Sequence, residues 1–154
     1  MCGKAEVNYK ALLDEIRAAL AGKAPLEGVV DVLSQLPHYS WVGIYLVRGK
    51  ELVLGPWRGP EATGHVRIPL GVGICGAAAA SGKTEVVDDV SSDPRYLACF
   101  PSTRAEIVVP IKEGERVLGE IDIDSDLPAA FSHEDKAFLE EVARLLAPAL
   151  KEGG

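Results

Sequence analysis

The stretch from Glu106 to Asp124 constrains the fold more than any other. Glu106 to Lys112 and Arg116 to Asp124 are rich in β-branched residues, and Glu113-Gly114 between them is a turn signal. Such a pattern predicts an antiparallel hairpin. In the second run Glu120, Asp122 and Asp124 alternate with Ile121 and Ile123. Successive strand side chains point to opposite faces, so the carboxylates share one face and the isoleucines the other. The apolar face must be covered by other elements. The acidic face is either bathed in water or turned into an enclosed pocket. In a pocket, mutual repulsion raises carboxylate pKa values unless a cation sits among them. A ligand ammonium suits that place. A hard metal ion also suits it, but no His or further Asp clusters nearby in sequence, so no metal is expected. Glu106, at the start of the neighbouring strand, joins the group.

The rest of the chain supplies the covering elements. Residues 5–22 carry Ala11, Leu12, Ile16, Ala19 and Leu20 at helical spacing, and Gly22 ends that helix. Residues 25–36 read as a second helix with Val29, Val30, Val32 and Leu33 inside. Trp41 to Val47 and Glu51 to Trp57 form a first hairpin around Gly49-Lys50, and Val66 to Pro69 a short strand. Ile74 to Ser81, after Gly71-Val72-Gly73, is an Ala-rich helix closed by Gly82. Thr84 to Val87 is a short strand. Residues 88–104 form a long polar loop, and Ser132 starts a last helix, about 132–150. Hairpins imply an antiparallel sheet, so the fold class is α+β in a single domain over residues 1–154. The terminal helices cover one sheet face. The middle helix and the 88–104 loop line the other, where the pocket is expected.

Composition limits the function. The net charge of −7 and pI near 5.0 disfavour nucleic acid. No apolar stretch is long enough to span a membrane, and the N-terminus has no apolar signal core. The expected compartment is the cytoplasm, where a cysteine pair is more often redox-active than a structural bridge. Cys75 stands where a glycine-rich turn enters a helix, a place that lowers a thiol's pKa. Its plainer reading is core packing among Ala77 to Ala80. Cys99 stands in the long loop with access to solvent, or else is a small buried side chain between Ala98 and Phe100. Trp41 and Tyr45 share a strand face, either around a ligand or as ordinary core aromatics.

Trp41-Val42-Gly43-Ile44-Tyr45, Gly73-Ile74-Cys75-Gly76, Leu97-Ala98-Cys99, Glu106-Ile107-Val108-Val109-Pro110 and Asp122-Ile123-Asp124-Ser125 occur in order. Together they resemble the GAF-domain free methionine-(R)-sulfoxide reductases, from about Val7 to Ala149. The resemblance implies a GAF-like (PAS-like) antiparallel sheet with flanking helices and a closed ligand pocket. It implies Cys99 as the nucleophile on the sulfoxide sulfur, leaving a sulfenic acid that a second thiol converts to a disulfide. It places Trp41 and Tyr45 around the methylsulfinyl group, and Glu106, Asp122 and Asp124 on the substrate ammonium or in protonation of the sulfoxide oxygen. No bound cofactor is implied. Thioredoxin is the implied reductant, and a homodimer through the terminal helices is expected.

Two departures stand out. Many members carry a third, resolving cysteine where this chain has His65. Around the nucleophile many have Gly-His-Ile-Ala-Cys-Asp, and this chain has Arg95-Tyr96-Leu97-Ala98-Cys99-Phe100. Resolution then falls to Cys75, to Cys2 or to an external thiol, with Cys75 favoured because it lies within the motif region. The rival readings are a non-catalytic GAF module that binds a small molecule, and a thiol redox sensor.

Overall fold

A computed structural model of the chain describes residues 7–97 and 100–153. In chain order they form α1 (Tyr9–Leu20), α2 (Pro25–Leu33), β1 (Trp41–Arg48), β2 (Glu51–Arg58), β3 (Arg67–Pro69), α3 (Gly73–Ser81), β4 (Glu85–Val87), β5 (Ala105–Glu113), β6 (Arg116–Ser125) and α4 (His133–Gly153). The strands make one antiparallel sheet in the order β3-β2-β1-β6-β5-β4. The two hairpins, β1–β2 and β5–β6, thus meet along β1 and β6 at the centre.

The alternation in β6 decides what covers each face. Ile121 and Ile123 join Val42, Ile44, Ile107, Val109 and Ile111 in a core completed by α1, α2 and α4. Those helices are held by local chemistry that the sequence carries. Asn8 accepts the Ala11 N–H at the start of α1 (3.0 Å), and Pro25 opens α2 with its fixed φ. Gly28 lets α2 approach α1; a side chain there would meet Ala19 Cβ at 2.9 Å. The opposite face carries a smaller core in which Ile74, Cys75, Ala78 and Ala79 of α3 pack on Tyr45, Leu52 and Val108. Gly82, at φ 70°, terminates α3 in the left-handed conformation open to glycine. The described residues of the 88–104 loop are held by specific local contacts. It contains a 3₁₀ turn, Val90–Ser92, capped by Asp89. It is also tied down by Arg95, which pairs with Glu85 (3.0 Å) and Asp93 (2.6 Å).

Asp135 locks the three-helix side together. With Ser132 it forms a reciprocal cap: the Asp135 N–H donates to Ser132 Oγ (3.2 Å) and the Ser132 N–H to Asp135 Oδ2 (2.9 Å). Its Oδ1 accepts from Tyr39 Oη (2.7 Å) and Tyr9 Oη (3.2 Å) and lies 2.9 Å from His38 Nε2. Burial pushes this carboxyl up, but the hydrogen bonds from His38, Ser132 and Tyr39 outweigh it and hold the pKa well below the usual range. A carboxyl depressed in the folded state stabilises above its unfolded value, near pH ~4, and that contribution is lost as pH falls through the folded value. Asp135→Ala is therefore expected to cost about 3–5 kcal/mol in urea unfolding at pH 7, by orphaning buried donors. Asp135→Asn is expected to flatten the decline of stability measured between neutral pH and pH ~2.

Candidate functional site

The acidic face of β6 lies at the middle of the sheet, beneath α3. Register places three rows side by side. Across β5, Glu106 faces Asp124, Val108 faces Asp122 and Pro110 faces Glu120. Across β1, Trp41 faces Asp124, Gly43 faces Asp122 and Tyr45 faces Glu120. Glu106, Glu120, Asp122 and Asp124 are all buried, Glu120 completely. The solvated alternative for this face is thereby excluded. Gly43 is the one position in the β1 row without a side chain, and the Trp41 indole folds over the space a methyl would take.

Cys75 descends onto this surface from the first turn of α3. Its thiol points at Glu106 Oε2, 3.8 Å away. One ligand atom each of Cys75, Glu106 and Asp122 lie within 4.8 Å of one another. They border a small, partly open cavity of about 10 Å³, together with Tyr45 and His65. Ile68, Ile74 and Leu97 supply its apolar wall. By this measure the space holds about one water molecule. Tyr45 is anchored by donating its hydroxyl to the His65 carbonyl at 2.7 Å. A larger cleft of about 620 Å³ lies beside α4, lined by Lys83, Lys112, Lys136, Glu140 and Arg144 among others. Among the described residues no cysteine lines it, whereas Cys75 borders the small cavity.

Not all the residues singled out in the sequence meet at one point. Tyr45, Cys75, Glu106 and Asp122 converge on the cavity. Asp124 sits one place further along β6, opposite Glu106. Trp41 lies beyond it, stacked on Trp57 with ring centres 6.1 Å apart and tilted against Phe100 at 5.8 Å. Its indole N–H donates to the Glu61 carbonyl at 3.2 Å. Cys99 and Cys2 lie outside the described residues. His65, singled out in sequence only as a departure from a motif, proves to be a wall of the cavity. Glu120 shares the face but was not among the site residues inferred from sequence; the strand alternation was its signal.

Electrostatics decides between the two readings of Cys75. The structure supports core packing over a thiol pKa depressed by the helix N-terminus. Burial, and then the carboxylates of Asp122, Glu120, Glu106 and Asp124, push that pKa well above the ordinary thiol value. Cys75 is therefore held protonated in this closed state. Burial likewise raises Asp122, against opposing hydrogen bonds from Glu106 and Cys75. Glu120 and Asp124 rise well above the usual carboxylate range, through burial first and the neighbouring Asp122 charge second. Both oxygens of Glu120 and Oδ1 of Asp122 and of Asp124 lack a hydrogen-bond partner. The cage is therefore short of positive charge, and no Lys or Arg is among the described residues lining its cavity.

A six-stranded antiparallel sheet with helices on both faces and a small pocket under α3 is the architecture of a GAF domain, and the GAF-domain family model matches residues 24–150. A solved type II free methionine-R-sulfoxide reductase of Thermoplasma acidophilum is 43% identical, with a TM-score of 0.81 over 90% of this chain and 96% of that one. The free methionine-R-sulfoxide reductase of Neisseria meningitidis, solved in complex with its substrate, is 36% identical, with a TM-score of 0.87 over 98% and 95%. The Escherichia coli K12 reductase of the same name is 33% identical over 92% of this chain and 88% of its own. The chain belongs to the free methionine-(R)-sulfoxide reductases of the GAF-domain family.

Glu120 makes a separable prediction about stability. A carboxyl raised in the folded state remains protonated after its unfolded counterpart ionises. Its penalty therefore grows as pH rises above the ordinary value of 4.5. Glu120→Met keeps the length of the side chain and removes the unpartnered oxygens. It is expected to stabilise the fold by about 1–3 kcal/mol near neutral pH and by less at pH ~4, read from urea midpoints at the two pH values.

Proposed function

We propose that this chain reduces free methionine-(R)-sulfoxide to methionine with its own thiols and an external dithiol. The convergence of a buried thiol and a cation-deficient carboxylate cage on one small cavity carries this reading. A free amino acid brings the ammonium that the cage lacks. An N-blocked or peptide-bound residue brings a neutral amide, which leaves buried carboxyls uncompensated. The chemistry thus selects the free substrate.

Substrate binding begins with the cage. The ammonium favours ionised Asp122 and Asp124, so protons held in the empty cavity become available as it binds. Glu106, Asp122 and Asp124 are the groups assigned to the ammonium and to proton delivery. A cavity of about 10 Å³ is far smaller than the roughly 300 Å³ or more of small-molecule pockets, so binding parts its wall. Tyr45 borders the cavity on the side where the methylsulfinyl group is placed; Trp41, assigned to the same group by its motif, stands beyond Asp124 and meets it only as the wall parts. Cys99, whose role rests on its motif, attacks the sulfoxide sulfur. The substrate S–O bond breaks, methionine leaves, and the oxygen ends on Cys99 as a sulfenic acid. The substrate sulfur gains two electrons and Cys99 loses them. The Cys75 thiol then attacks the sulfenic sulfur, water departs and a disulfide forms. A thioredoxin-like dithiol reduces that disulfide by exchange and becomes oxidised in turn. No bound cofactor takes part.

The raised pKa of Cys75 suits the second step better than the first. A protonated thiol does not compete for the sulfoxide, and it gains reactivity once an ammonium offsets the carboxylates around it. Among the described residues no helix is long and apolar enough to cross a membrane, and a cytoplasmic setting supplies the reductant this cycle needs. A homodimer through α1 and α4 belongs to the same proposal.

NADPH consumption coupled through thioredoxin and thioredoxin reductase tests the reading. Turnover is expected with free methionine-(R)-sulfoxide and not with the (S) epimer or the N-acetylated (R) form. Cys99→Ser is expected to abolish it. Absence of turnover with both thioredoxin and dithiothreitol would sink the proposal. Cys75→Ser is expected to yield a single equivalent of methionine and then stall with thioredoxin. Unimpaired cycling of that variant would assign resolution to Cys2 or to an external thiol.

A further inference from the structure

The mutual distances in the cage match a second kind of cation. Cys75 Sγ, Glu106 and Asp122 present one thiol and two carboxylates, with ligand atoms all within 4.8 Å of one another. The sulfur lies 3.8 Å from Glu106 Oε2. Two ligands of a tetrahedral zinc ion, at the usual zinc–sulfur and zinc–oxygen lengths, stand about 3.6 Å apart. Asp122 Oδ1 is buried without a hydrogen-bond partner, and Asp122 borders the small cavity. That cavity, about 10 Å³, has room for a single small ion or water and not for an amino acid.

We propose that Cys75, Glu106 and Asp122 form a site for a thiophilic divalent cation of the zinc class, and that its occupancy competes with substrate. Magnesium and calcium are poor fits, because they require six or more oxygen ligands and reject sulfur. Zinc accepts four ligands including thiolate, leaving one position for a water. On binding, the Cys75 S–H bond is replaced by an S–metal bond and the proton passes to solvent. The metal takes the positive-charge position that the substrate ammonium needs and removes the thiol assigned to disulfide formation. This regulatory role rests on the reductase reading; the cation site itself does not. The ligands come from α3, β5 and β6, so their spacing along the chain resembles no zinc motif.

The test uses the reduced full-length chain and cobalt(II) as a spectroscopic stand-in. A sulfur-to-cobalt charge-transfer band is expected to saturate at one equivalent and to be reversed by zinc. It should persist in a Cys2→Ser/Cys99→Ser variant and vanish in Cys75→Ser. Glu106→Gln, which removes one ligand and leaves every thiol in place, should weaken cobalt binding by about tenfold or more, since even loss of an outer-shell partner costs that much. Zinc is expected to raise the KM for free methionine-(R)-sulfoxide and to leave kcat at saturating substrate unchanged. A band that survives Cys75→Ser, one that is lost in the Cys2/Cys99 variant, or no band at all overturns the site. Normal turnover without a Cys75-dependent band removes the cation site and leaves the reductase reading standing. The expected band without turnover does the reverse.

Discussion

Everything functional in this fold depends on a register. β6 lies between β1 and β5, and its period of two sends Ile121 and Ile123 to one face and Glu120, Asp122 and Asp124 to the other. Burying the isoleucines against α1, α2 and α4 supplies much of the drive that holds the sheet. The same act drives three carboxylates beneath α3, where they are buried. A slip of one residue would exchange the faces, at a cost in buried apolar surface that the fold cannot bear. The unfavourable burial of acid is thus locked in by the favourable burial of hydrocarbon on the opposite side of the same strand.

That coupling explains how a small domain maintains a site short of positive charge. Buried carboxyls with unpartnered oxygens are costly, and this structure holds three within one strand. The protein answers by keeping them protonated, as the upward shifts of Glu120, Asp122 and Asp124 indicate. Such a cage has little reason to admit an apolar ligand and much reason to admit a cation. Selection of a free amino acid and susceptibility to a thiophilic metal are two consequences of the same deficit. Cys75, set above the cage, shares its electrostatics, and in the proposed cycle it becomes reactive only when that deficit is met.

Much of this was legible in the linear chain, for identifiable reasons. The two hairpins announced themselves through Gly49-Lys50 and Glu113-Gly114. The helix at α4 was marked by Ser132 with Asp135 in its first turn, and the structure makes that pair a reciprocal cap. What pattern could not supply was long-range. That Asp135 also gathers Tyr9, His38 and Tyr39 follows from where α1 and the chain before β1 come to rest. That Trp41 packs on Trp57 and Phe100, away from the cavity wall, depends on the space left by Gly43. The helix terminus at Cys75 is a local feature legible in the chain, whereas the burial and the carboxylates that outweigh it there depend on how α3 packs over β5 and β6.

The sequence by itself determined the elements, the two-faced character of β6 and the motifs that mark the family, since periodicity, turn chemistry and residue identity are local properties. The tertiary structure alone decided that the acidic face is buried and that His65 becomes a wall of the pocket. It also decided that Glu106 and Asp122 stand within ligand distance of Cys75. Those facts depend on which strands pair and which helix covers them, and pairing is set by the whole core.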